Sequence, residues 1–175
     1  MRGVSAMEFV EVARKLELHA FQVCTKAPKR YERFLTGRIF ELASTVHEEV
    51  RAANNNIPRN QHEAQMRRDH LIKANDALQN LSPKLVLLYD SILQNPEKCD
   101  WIDNAMKVFG EYITEEAKLI AATKKADYER YKDLPDLGGE YDLKLRHFTE
   151  LFIKMCKKVF GLSIEEKLDS VESDC

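Results

Sequence analysis

Leu71-Ile-Lys-Ala-Asn-Asp-Ala-Leu-Gln-Asn-Leu-Ser-Pro-Lys-Leu-Val-Leu-Leu-Tyr-Asp-Ser-Ile92 is the stretch that decides the fold. Within it Leu71, Ala74, Leu78, Leu81, Leu85, Leu88 and Ile92 alternate steps of three and four, the seam of a helix packed lengthwise against its neighbours. Pro83 would normally break a helix interior, because it lacks the N–H and crowds the preceding turn. The seam keeps its register on both sides of Pro83, so the spacing predicts one kinked helix and not two.

Upstream, Tyr31, Leu35, Ile39, Leu42, Val46, Val50 and Ala53 form another stripe, stopped by Asn54-Asn55-Asn56-Ile57-Pro58. Before it, Phe9, Ala13, Leu16, Ala20 and Val23 share one face of a first helix that ends near Thr25. Lys26-Ala27-Pro28 leaves so short a connection that these two helices are expected to run antiparallel, with Pro28 suited to a first turn. Downstream, Asn95-Pro96-Glu97-Lys98 makes a turn, Asp100 and Asp103 give the next helix an acidic start, and its face reads Ile102, Met106, Phe109, Ile113, Ala117 and Ile120. The pattern then thins into a polar run from Lys124 to Lys132. Asp133-Leu-Pro-Asp-Leu-Gly-Gly139 is the linker, after which Tyr141, Leu145, Phe148, Phe152, Met155 and Val159 form a fifth stripe closed by Gly161.

The expected organisation is therefore all-α: an antiparallel up-down-up-down four-helix bundle over residues 6–133, a C-terminal amphipathic helix over 140–161, and an acidic, flexible tail over 162–175. Hydrophobic residues at 44% and charged residues at 32%, with few Gly and Pro, fit long amphipathic helices better than strands or disorder. No run approaches the roughly 18 apolar residues that span a bilayer, so no membrane and a cytoplasmic location are expected. Cys24, Cys99, Cys156 and Cys175 are scattered, without metal-ligand spacing, and are expected to be reduced thiols.

Net charge is −2, but residues 1–90 carry 14 Lys and Arg against 11 Asp and Glu, while 91–175 carry 13 against 18. A polyanion should meet the first half. There Lys26, Lys29, Arg30, Arg33 and Arg38 gather around the first turn, diluted only by Glu32. Positive charge at a helix start opposes the helix dipole, so helix stability does not account for it, whereas phosphate seats well at such a place. A solvated basic face is the alternative. Arg59, Arg67 and Arg68 follow the second turn and should lie toward the opposite end of the bundle.

Other constellations read more plainly. Arg14 and His19 have the Arg-x4-His spacing of one class of helical, metal-independent ribonucleases, but residues five apart on a helix diverge, and no catalytic residue is expected. His47, His62, His70 and His147 have no evident partners, and Glu48-Glu49 and Glu115-Glu116 read as solvated faces, because the inward Glu-x-x-His of a di-metal bundle does not occur. Trp101, Tyr112, Tyr128 and Tyr131 are expected in core or interface in preference to stacking platforms. Without a P-loop or GxGxxG, no cofactor and no metal are expected.

The segment Ala27-Pro-Lys-Arg-Tyr-Glu-Arg-Phe-Leu-Thr-Gly-Arg-Ile-Phe-Glu-Leu-Ala43, continuing to Val50-Arg-Ala-Ala-Asn54, resembles a family of small bacterial four-helix-bundle proteins. The family includes the accessory variability protein (Avd) of diversity-generating retroelements and, more distantly, proteins encoded by intervening sequences in 23S ribosomal RNA genes. The Pro-Lys at the first turn, Leu35-Thr36-Gly37, Arg67-Arg68 and the Leu-rich third helix look like the accessory-protein branch, and the resemblance covers about residues 8–125. It implies a homopentamer whose basic surface contacts RNA or DNA and a reverse transcriptase, supporting complementary-DNA synthesis in retrohoming. Carried over by position, Lys29, Arg30, Arg33, Arg38, Arg67 and Arg68 would be the contact residues, with Lys26 beside them. The expected function is thus that of a non-enzymatic retroelement accessory protein; a bundle that only mediates protein–protein contacts or oligomerisation is the rival.

Overall fold

A computed structural model describes residues 8–94 and 99–136. The regular secondary structure among these residues is entirely helical, with no strand: α1 (Glu8–Lys26), a 3₁₀ turn (Lys29–Tyr31), a π-helical turn (Glu32–Thr36), α2 (Gly37–Asn55), α3 (Gln61–Leu93) and α4 (Ile102–Tyr131). The chain divides after Pro135, and the four long helices lie in the unit that ends there. The expected C-terminal helix over 140–161 and tail over 162–175, with His147, Cys156 and Cys175, lie outside the described residues. Among the described residues no helix is long and apolar enough to cross a membrane.

Each helix packs on two others, α1 against α2 and α4, and α3 against α2 and α4. The reason is in the stripes. Every residue of the Leu71-to-Ile92 seam is buried, as are Phe9, Ala13, Leu16, Ala20 and Val23 of α1 and Leu35, Ile39, Leu42, Val46, Val50 and Ala53 from the second stripe. Fully burying a Leu or Ile side chain stabilises the fold by about 1.5–3 kcal/mol, so the common core outweighs any local helix preference. Pro83 lies inside α3, which continues through it, and its ring is on the exposed side, where water can reach the carbonyl it leaves unbonded.

The helix ends are fixed by polar side chains. Asn60 caps α3, accepting from the Glu63 backbone N–H at 2.9 Å, while the Glu63 carboxylate accepts from the Arg59 N–H at 2.7 Å. The Gln61 side-chain amide donates to the carbonyls of Tyr131, Lys132 and Leu134 at 3.0–3.1 Å, so the first turn of α3 meets the last turn of α4. At the other end of α3 the Tyr31 hydroxyl donates to the Ser91 carbonyl at 2.9 Å. These two junctions are separated by about 30 residues of α3, roughly 45 Å of helix.

The register of α4 differs from the expected face. Ile102, Phe109 and Ile120 are buried as predicted, but Met106, Ile113 and Ala117 are only partly buried, and Ala105 and Glu116 occupy core positions. Glu116, expected on a solvated face, is 0% exposed, and neither of its carboxylate oxygens has a hydrogen-bond partner among the described residues. Loss of hydration, with the nearby Glu115 charge adding to it, raises its pKa from 4.5 to about 8, so the neutral acid is the buried species at neutral pH. Polarity hid this position, because a carboxylate reads as surface until its neighbours are known. The helix also persists through the polar run to Tyr131, where Lys, Glu and Ala are good helix formers.

Three of the histidines have partners that the sequence did not reveal. His47 Nδ1 donates to Glu17 Oε2 and His70 Nδ1 to Glu49 Oε2, both at 2.6 Å, joining α1 to α2 and α2 to α3. His19 Nε2 donates to the Ala105 carbonyl at 3.0 Å and stands edge-on to Phe109, with ring centroids 4.5 Å apart. Arg14 instead turns outward and is bonded through two nitrogens to Glu11, at 2.8 and 2.9 Å. The Arg-x4-His pair is therefore split between solvent and the α1–α4 contact.

Candidate functional site

The connection from α1 to α2 builds a cationic surface. Lys26 ends α1, Lys29 and Arg30 lie in the 3₁₀ turn, Arg33 in the π turn and Arg38 at the second residue of α2; all five are exposed. The π turn is what orients the middle of this surface. Its wide loop, closed by the Gly37 N–H bonding to the Glu32 carbonyl, buries Leu35 and Thr36 together and leaves Arg33 and Phe34 outside. A Cβ on Gly37 would stand 3.2 Å from the Glu32 carbonyl oxygen, which makes glycine the comfortable residue there. The Cys24 thiol lies behind the turn and donates to the Thr36 carbonyl at 3.2 Å; burial raises its pKa from 9.0 to about 11.

Phe34 is 79% exposed, an unusual state for a large aromatic ring. The Arg33 guanidinium lies 5.4 Å from its ring centroid, and that of Arg30 lies 5.0 Å from the Tyr31 centroid. Arg38 is ion-paired to Glu41 at 2.8 Å, so part of its charge is already countered. Lys26, Lys29, Arg30 and Arg33, beside Phe34, form the coherent part of the surface, with Glu32 the acidic residue among them.

The second predicted group separates. Arg68 is exposed, but Arg67 is 7% exposed and its guanidinium is committed inside the fold. Its Nε donates to Asp127 Oδ2 at 2.6 Å, and its Nη1 donates to the carbonyls of Ala53 and Asn56, at 3.1 Å for Asn56. The residue thus ties the carbonyl end of α2 and the last turns of α4 to α3, a use of positive charge that the helix dipole favours. Arg67 is not a surface cation. Its partner lies 60 residues away in sequence, which is why a charge count placed it outside.

Near Arg68 the structure brings together residues that sequence reasoning set aside. Lys124, Lys125 and Lys132 from the polar run, with Tyr128, border a cleft of about 440 Å³ between the first turns of α3 and the last turns of α4. Tyr128, expected in core or interface, is 66% exposed, whereas Trp101 and Tyr112 pack against the core. Lys124 and Lys125 precede Tyr128 by four and three residues, spacings that place each beside it on a helix, and that spacing is the available signal. Among the described residues no group of three His, Cys, Asp or Glu side chains is placed to hold a metal ion.

Compared with family models, curated proteins and solved structures, the chain matched none.

Proposed function

We propose that this protein is a non-enzymatic accessory protein of a retroelement, an antiparallel up-down-up-down four-helix bundle that binds RNA or DNA and a reverse transcriptase in the cytoplasm. The observation that carries the proposal is the exposed set Lys26, Lys29, Arg30 and Arg33 along the connection from α1 to α2, with Arg33 over the outward ring of Phe34. Phosphates are attracted to such a surface, and an unpaired base can stack on the ring. The bundle topology draws support from the paired helix ends, with the start of α3 on the end of α4 and the end of α3 on the basic turn. The reverse-transcriptase partner and a homopentameric assembly come from the resemblance of residues 27–54 to the Avd-like family.

The test is the affinity of the full chain for single-stranded RNA and DNA across a salt series, repeated with Lys29→Ala, Arg30→Ala and Arg33→Ala combined. A phosphate-binding turn predicts weaker binding and a slope of log affinity against log salt shallower by about 2, as roughly three phosphate contacts are lost. Unchanged affinity and slope in the triple variant would remove the basic turn from the proposal. Binding that is insensitive to salt would favour a module that contacts proteins alone. The retroelement setting requires a reverse-transcriptase gene and a repeated template beside this gene, and their absence would exclude it.

A further inference from the structure

The cleft at the α3–α4 end lies at the opposite pole from the basic turn, and its composition differs. Arg68, Lys124 and Lys125 border it and make no ion pair or hydrogen bond among the described residues. The carboxylate in its lining, Asp127, is already neutralised by Arg67 at 2.6 Å. The excess of positive charge is therefore uncompensated, and the exposed Tyr128 ring supplies apolar surface beside it. At about 440 Å³ the cleft falls within the roughly 300–1,000 Å³ of small-molecule sites.

We propose that this cleft binds a nucleoside phosphate, with the phosphate held by Arg68, Lys124 and Lys125 and the base stacked on Tyr128. An inorganic anion alone would leave the Tyr128 ring unused, and an uncharged aromatic would leave three cations without a counter-charge. The same chemistry is offered by a free nucleotide and by one unit of a single strand. The site stands apart from the basic turn and requires no reverse transcriptase, so the two sites fail separately.

The experiment titrates the full chain at low salt with adenosine 5′-monophosphate, adenosine, inorganic phosphate and a short single-stranded oligodeoxyadenylate, by calorimetry. Adenosine 5′-monophosphate is expected to bind more tightly than adenosine or phosphate alone. Tyr128→Ala should weaken it about tenfold or more, while Tyr128→Phe, which keeps the ring, should retain most of the affinity. Arg68→Ala with Lys124→Ala should also weaken it, and the Lys29, Arg30 and Arg33 triple variant should leave it unchanged. An oligonucleotide that displaces the monophosphate and shows the same dependence on Tyr128 identifies a strand as the source; a monophosphate that the oligonucleotide does not displace identifies a free nucleotide. The proposal is overturned if neither the monophosphate nor the oligonucleotide binds, or if neither loses affinity in Tyr128→Ala. Circular dichroism of these surface variants should match the parent protein, so lost binding does not report lost folding.

Discussion

Replacing Glu116 by Gln should make the protein more stable at neutral pH and remove most of one pH dependence. In the folded chain burial keeps the Glu116 proton in place up to about pH 8, whereas in the unfolded chain the group ionises near 4.5. Between those values the folded state binds more protons than the unfolded state, so stability falls as pH rises, by up to about 1.4 kcal/mol per pH unit. Below pH 4.5 both states carry the neutral acid and the penalty is absent; above about pH 8 both are ionised and it stops growing. At pH 7 the accumulated cost is about 3 kcal/mol, a substantial part of the 5–15 kcal/mol typical of a domain. Gln keeps the shape and the unpartnered polar tip of the neutral acid but cannot ionise. Urea unfolding followed by helical circular dichroism, at pH values from below 4.5 to above 8, should give nearly equal stabilities at the acid end. It should give about 3 kcal/mol in favour of Glu116→Gln at pH 7. If the two proteins lose stability in parallel across the window, Glu116 does not carry its charge cost in the folded state.

Two further outcomes follow from the same core. Arg67→Met keeps length and apolar bulk but leaves Asp127 and the Ala53 and Asn56 carbonyls without their donor; it should lower stability by about 3–5 kcal/mol, and adding Asp127→Leu should recover much of the loss in the same urea assay. A loss below about 1 kcal/mol would mean that the guanidinium is not the link between α2 and α4. Cys24, with its pKa raised to about 11, stays a neutral thiol at pH 8 and should alkylate about a hundredfold more slowly than an ordinary thiol, accelerating toward pH 11. Site-resolved mass spectrometry of iodoacetamide-treated protein measures this, and rapid labelling of Cys24 at pH 8 would contradict its burial.

The apolar seams were legible because each is decided by spacing within one helix. Leu71 to Ile92 stayed in register across Pro83, and the stripes of α1 and α2 were read almost residue for residue. Failure came wherever a position depended on another helix. Glu116 sits where the α4 seam needs a core residue, yet its chemistry argues for solvent, and apolar spacing alone points to the nearby Ala117. Arg67, His47 and His70 looked like free surface groups because Asp127, Glu17 and Glu49 lie 60, 30 and 21 residues from them. The basic turn was visible as a local run of charge. The cleft was not, since Arg68 and Lys124 meet only after α3 and α4 have packed.

The wide turn at Glu32–Thr36 holds one residue more than an α-helical path over the same rise would need. A one-residue deletion there could be absorbed by tightening the loop, leaving Ile39 and everything after it seated. The same deletion between Ile39 and Ala53 would swing all later side chains by about 100° and turn the oily stripe toward water. Within the helical segments, the stretch where the cations cluster is therefore the place at which one residue can be lost without dismantling the rest.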